Sequence, residues 1–332
     1  MSPRKPLVLV SLFVFAAVVL AAAPWIGMEQ VSLGTIWGDT TNDADLDILW
    51  KIRVPRVMMA FLAGAGLSVA GMAFQAMFRN PLATPFTLGV SSGASLGAAL
   101  CIHQGWTLAI LGLSAVSLCA FAGAMTTVAL IYGFTRAKRG FSTATMLLAG
   151  VAMSFCFSSL ILLLQYLSDF TRTFRMLRWV MGGLDSVVAF DEVLSVAPFV
   201  VSGCAIVLYL THELNLLSTG EELAVSRGVE LGRTKLALFL GASLMVGAVV
   251  AVCGPIGFVG LMAPHICRLL IGGDHRHLMP ATLLFGGAFL VLCDTLARTV
   301  VAPTELPVGI ITALLGGPFF LWLLLGRDVD SL

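Results

Sequence analysis

Apolar stretches of about twenty residues, nearly free of charge, recur along almost the whole chain and dictate its fold class. At 1.5 Å rise per residue, about twenty helical residues cross the ~30 Å hydrocarbon core of a bilayer. In that medium every backbone polar group needs an internal partner, which an α-helix supplies. Charged residues make up 11% of the 332-residue chain, against about 25% in soluble domains. The expected fold is therefore all-α, polytopic and membrane-embedded. The net charge of +1 offers no basic surface for nucleic acid.

About ten spans are expected, near 7–27, 55–77, 86–102, 106–134, 143–167, 191–211, 236–254, 256–272, 280–302 and 307–325. The stretch 236–272 is too long for one crossing, and Gly254-Pro255 divides it. The first run follows Arg4 and Lys5 and is long for the apolar region of a signal peptide, although Ala21-Ala22-Ala23 would suit cleavage; it reads as a retained span. Gly64-Ala65-Gly66 with Gly71, and Gly93 with Gly97, permit close helix contact where lipid supplies no hydrophobic drive. The seven cysteines lie in or beside apolar segments without a CxxC pair and read as small packing residues.

Ten spans place both termini on one side. With Arg4 and Lys5 inside, twelve of the nineteen basic residues fall on inner segments, and the first outer loop contains Asp39, Asp43, Asp45 and Asp47. By the positive-inside rule both termini are cytoplasmic, and so is the polar interlude 211–235. There, Ser218 or Thr219 is expected to cap a helix with Glu221 and Glu222 in its first turn, Gly228 to stop it and Gly232 to bend the chain again. Such a segment reads as a docking surface.

No GxxxxGK[ST] loop is present to cradle ATP phosphates, and no HExxH or GxSxG motif. Intramembrane ionisable residues are few, Asp294 being the clearest. A stand-alone secondary transporter or channel, the alternative reading, ordinarily needs more of them as an ion relay.

The chain carries the blocks Arg53-Val54-Pro55-Arg56; Ala63-Gly64-Ala65-Gly66 through Gln75; Asn80-Pro81-Leu82-Ala83-Thr84-Pro85; Leu88-Gly89-Val90-Ser91-Ser92-Gly93-Ala94; Gly254-Pro255-Ile256-Gly257-Phe258-Val259-Gly260-Leu261 with Pro264-His265 and Arg268; and Glu305-Leu306-Pro307-Val308-Gly309 with Thr312-Ala313 and Gly316-Gly317-Pro318-Phe319. Together these strongly resemble the FecCD family, permease subunits of ATP-binding-cassette importers for iron–siderophore complexes, haem and cobalamin. The blocks occur in family order over nearly the whole chain.

The resemblance implies a type II importer permease fold: a single transmembrane domain over residues 1–332, ten spans per subunit, and a homodimer with the path at its interface. Spans two to five and seven to ten would form an inverted repeat. Two separate ATPase subunits would bind ATP and Mg, this chain binding no cofactor or metal itself. A periplasmic or lipoprotein binding protein would dock on the outer face, in a bacterial or archaeal cytoplasmic membrane.

Residue by residue, Gly220, Glu221, Glu222, Ala224, Arg227 and Gly228 match the family's ATPase-coupling loop, unless they form an ordinary solvated connection. Arg53, Arg56 and Arg298 match outer positions that meet acids of the binding protein; the other reading is snorkelling to lipid phosphates, or pairing with Asp47 or Asp294. Asn80, Pro81, Leu82 and Ala83, with Ser142 and Thr143, match inner turns that gate the path, or else cap helices. Arg172, Arg175 and Arg178, every third residue beside Phe170, Phe174 and Trp179, form either a basic outer mouth for an anionic chelate or an interfacial anchor. Met72, Phe74, Met77, Phe157 and Met181 read as packing before path lining, and Asp274, His275 and His277 as loop residues rather than metal ligands.

Overall fold

The computed structural model describes residues 4–27, 46–84, 86–110, 113–137, 143–185, 187 and 189–326. Among these are thirteen α-helices: α1 Arg4–Ala22, α2 Val54–Phe78, α3 Val90–Gln104, α4 Ala115–Ala137, α5 Thr143–Leu167, α6 Phe170–Val180, α7 Phe190–Tyr209, α8 Thr211–Thr219, α9 Glu221–Ser226, α10 Leu231–Cys253, α11 Val259–Ile271, α12 His275–Thr299 and α13 Val308–Gly326. A π-helical turn, Ile48–Arg53, leads into α2. Two short strands, β1 Ala109–Ile110 and β2 Leu113–Ser114, pair antiparallel.

The ten expected spans correspond to α1, α2, α3, α4, α5, α7, α10, α11, α12 and α13. Seven helices of the described residues are long and apolar enough to cross a membrane, α2 together with its π turn; α11 and α13 are shorter apolar helices. At 15 and 13 residues, α3 and α11 extend only about 20 Å, less than a full bilayer core. The expected span 106–134 is corrected. Gly105, at φ +72°, ends α3, and the chain then makes the small hairpin before α4 starts at Ala115.

α2 is the central post. It packs against α12, α10, α11 and α7, and 83% of its apolar window is buried, against 11% for α5. α2 and α12 run antiparallel: Gly64 meets Gly286 backbone to backbone, and Ser68 Oγ donates to the Thr282 carbonyl at 3.0 Å. A Cβ at Gly71 would collide with the Gly260 carbonyl, and one at Gly97 with Cys119, so these glycines set the closeness of α2 to α11 and of α3 to α4. α1 packs against α12, burying Leu12, Ala16 and Val19, three residues of one helical face. α5 and α13 instead expose Leu148, Phe155, Leu162, Tyr166, Leu314, Leu321 and Trp322, broad apolar faces suited to lipid or to another protein. The lengths long, short, long recur in α2–α4 and α10–α12.

Candidate functional site

The functional candidates sit at opposite ends of the α2–α12 pair. At the end where α2 stops and α12 starts, α8 and α9 run across the bundle. Gly220 joins them at φ +145° and ψ 144°, a conformation open essentially to glycine alone. Gly228, at φ +86°, lies just past Arg227, the residue that closes α9. α9 is anchored from below by Ala224, fully buried, and at its start by Glu221, whose Oε1 receives Lys235 Nζ at 2.8 Å. Lys235 is 2% exposed, in the first turns of α10. Glu222, Leu223, Val225 and Arg227 remain exposed, so α9 presents a mixed apolar and charged surface. α8 is tied down separately: Asn215 Nδ2 donates to Asp274 Oδ1 at 2.8 Å, and the His275 N–H donates to Asn215 Oδ1 at 2.9 Å.

At the same end, Arg79 closes α2 in the left-handed region, φ 50°, and the chain turns through Asn80-Pro81-Leu82-Ala83. Asn80 Oδ1 accepts from the Leu82 N–H at 2.9 Å, so Asn80 stabilises this turn rather than capping a following helix. Ala83 is buried and Leu82 half-exposed. Thr143 begins α5; Ser142 lies outside the described residues.

The opposite end holds a buried ionic cluster. Asp294, 1% exposed on α12, accepts a hydrogen bond from Arg56 Nη2 at 2.9 Å and makes an ion pair, without a hydrogen bond, to Arg298 Nε at 3.1 Å. Arg56 Nη1 also reaches Glu305 Oε2 at 2.8 Å, in the loop before α13. Arg56 thereby joins α2, α12 and that loop through carboxylates on both arms of its guanidinium. Arg53, also buried, donates from Nη1 to the Pro24 carbonyl at 3.1 Å. Of the readings open for Arg56 and Arg298, pairing with Asp294 is the contact formed within this chain.

Beside this cluster lies a cavity of about 410 Å³, walled by Arg56, Glu305, Phe174, Met181, Arg178 and Asp185 among others. Helix α6 contributes much of that wall. Asp169 caps it, accepting from the Arg172 N–H at 2.9 Å. Arg172 is bound to the His103 carbonyl and to Asp169, and Arg178 to Asp185 at 2.8 Å. Arg175 and Arg178 line a second cavity of about 380 Å³, with Trp179 and Ser117. Met72, Phe74 and Met77 are core residues of α2, whereas Met181 faces the first cavity.

A sequence profile described as the FecCD transport family matches residues 9–326. The chain belongs to the FecCD transport family. The hemin transport system permease protein HmuU of Yersinia pestis is 39% identical over 323 residues, covering 97% of this chain and 96% of the relative. The cobalamin import system permease protein BtuC of Halobacterium salinarum is 40% identical over 316 residues, 95% of this chain and 83% of the relative. Among solved structures, an inward-facing transporter assigned to the metal-chelate type of the ABC class superposes with a TM-score of 0.86 at 31% identity, covering 97% of this chain and all of the other.

Two details of the α8–α9 segment differ from expectation. Ser218 and Thr219 do not cap α9; their hydroxyls donate to the Asn215 and Leu216 carbonyls at 2.7 Å, inside the end of α8. Gly232 does not bend the chain; α10 begins at Leu231 and absorbs it. The residues that hold the segment in place, Lys235 and Asn215, were not among the expected site residues. Lys235 was recoverable, since a lone ammonium at the edge of an apolar run needs a nearby carboxylate. Asn215 had no sequence signal, because its partners lie about sixty residues away. Glu305, partner of Arg56, was visible only as part of a family block.

Proposed function

We propose that this chain is the membrane-spanning permease subunit of an ATP-binding-cassette importer that moves a bulky metal chelate across a bacterial or archaeal cytoplasmic membrane. The chelate belongs to the iron–siderophore, haem and cobalamin group. The working unit is a homodimer with two separate ATPase subunits and a substrate-binding protein. The observation that carries this reading is the α8–α9 segment, a rigid, glycine-bounded surface fastened to the transmembrane core by Lys235–Glu221 and by Asn215. Such a segment can pass a push from an ATPase subunit directly into α10 and α12. Membership of the FecCD family supports the reading, as do relatives whose names specify hemin and cobalamin transport.

On this reading Gly220, Glu221, Glu222, Ala224, Arg227 and Gly228 form the ATPase-facing surface on the cytoplasmic side. Arg53, Arg56 and Arg298 orient the binding protein on the far side, where an incoming acid would compete with Glu305 for Arg56. Asn80–Ala83 with Ser142 and Thr143 narrow the path at its cytoplasmic end. The experiment is co-purification of the ATPase subunit with the Glu221→Arg, Glu222→Arg double variant. Loss of the ATPase from a folded permease is expected; retention with coupled transport intact would refute the assignment.

A further inference from the structure

A polar cavity of about 370 Å³ opens at the α8–α9 end, between the end of α2, α11 and the start of α12. Arg79, Arg268, His275, Gln75 and Asn80 line it. Arg268 makes one hydrogen bond, Nη2 to the neutral Gln75 Oε1 at 3.2 Å, and meets no carboxylate among the described residues. The Arg79 side chain makes no hydrogen bond or ion pair among them. Two guanidinium groups, Arg268 part-buried and Arg79 exposed, thus line one recess with no carboxylate among the described residues lining it.

His275 adds a second, independent demand. It is 97% buried, and its Nδ1 lies 2.7 Å from Asn215 Oδ1. Asn215 gives its amide N–H to Asp274, so its oxygen faces the imidazole and His275 carries its proton on Nδ1. His275 Nε2 is then a bare acceptor, buried and with no partner in the structure. Asp274, the nearest carboxylate, is already engaged by Asn215, the Arg276 N–H and His277.

The recess therefore asks for an oxyanion to meet two arginines and a hydroxyl to serve Nε2. The segments that supply the lining also carry exposed apolar side chains: Leu269 and Leu270 follow Arg268 on the apolar helix α11, 55% and 52% exposed, and Leu82 follows Pro81, 49% exposed. A lipid can engage both the recess and such apolar surface nearby, which a soluble anion cannot. We infer that this cavity binds the headgroup of an anionic, hydroxyl-bearing phospholipid of the phosphatidylglycerol class. The phosphate meets Arg79 and Arg268, a headgroup hydroxyl donates to His275, and the acyl chains lie along Leu269 and Leu270. The bound lipid would brace the turn after α2 against α11 and α12.

The test uses the purified full-length protein, delipidated in detergent, with phosphatidylglycerol, phosphatidylcholine or inorganic phosphate added. Binding is read by native mass spectrometry and by the shift in thermal unfolding. One phosphatidylglycerol per chain is expected, preferred over phosphatidylcholine, with affinity lowered about tenfold in Arg79→Gln and in Arg268→Gln. Arg79→Gln removes no side-chain hydrogen bond or ion pair made among the described residues, so it separates binding from folding. Equal binding of the two lipids, or undiminished binding by both variants, would overturn the inference. So would inorganic phosphate binding as tightly as the lipid, which would make the site one for a free anion.

Discussion

Lys235 reaches back fourteen residues to Glu221, closing Nζ to Oε1 at 2.8 Å and fastening the short helix α9 to the first turns of α10. The lysine is almost wholly buried and the glutamate 42% exposed, so the pair straddles the boundary between the core and the exposed face of α9. Removing the carboxylate frees α9 without excavating the core. Glu221→Gln leaves the buried Lys235 ammonium facing a neutral amide and should cost about 1–3 kcal/mol in stability, less than a wholly buried pair because the carboxylate is partly solvated. It should lower ATP-driven transport disproportionately. Thermal unfolding and transport, measured on the same preparation, check the split; a parallel fall in both would make the pair merely structural.

Gly220 and Gly232 form a matched pair of glycines, each with open space where a Cβ would stand. Gly220 sits at φ +145°, so Gly220→Ala is strained by backbone alone, by about 1–3 kcal/mol, and should disturb the α8–α9 corner. Gly232 lies inside α10, where alanine should stabilise by about 0.5–1 kcal/mol. Opposite shifts of the unfolding temperature are the expected result.

Asp294 neutralises Arg56 and Arg298 in a nearly dry site. Asp294→Asn leaves two buried guanidinium groups with reduced compensation and should cost about 3–5 kcal/mol, whereas Glu305→Gln, at a partly exposed carboxylate, should cost far less. Chemical denaturation of the reconstituted protein orders the two; equal effects would show that the cluster does not depend on burial.

Asp274 supplies a pH dependence. Burial alone would raise its pKa, but hydrogen bonds from Asn215, the Arg276 N–H and His277 hold it below the usual carboxylate range. A depressed folded value means that the stabilisation is present above the unfolded pKa and is lost as pH falls through the folded one. Acidification below the ordinary carboxylate range should therefore loosen α8 from α12, read as faster amide exchange in Thr211–Thr219. Asp274→Asn should remove most of that pH dependence.

Much of this architecture is legible in sequence because lipid imposes a simple rule: long apolar runs become helices, and Gly254-Pro255 breaks one. The expected span 106–134 begins too early because Trp106 and Leu108 are as apolar as the residues after them, yet a short hairpin intervenes and α4 begins only at Ala115. The family blocks located Arg56 and Arg298, but their shared partner Asp294 became decisive only once α2 and α12 lay side by side. Ser218 and Thr219 look like caps from composition, yet α8 extends through them because Leu214 and Leu217 bury beneath it. Local chemistry proposed the start of α9, and packing moved it.

On the proposed function, this chain moves its cargo only when a separate ATPase drives it. Proteoliposomes holding the purified permease, with and without the ATPase subunit and Mg-ATP, and supplied with chelate-loaded binding protein, test this directly. Accumulation of chelate is expected only with ATPase and ATP together. Uptake by the permease alone, or uptake driven by a proton gradient or membrane potential, would contradict the account.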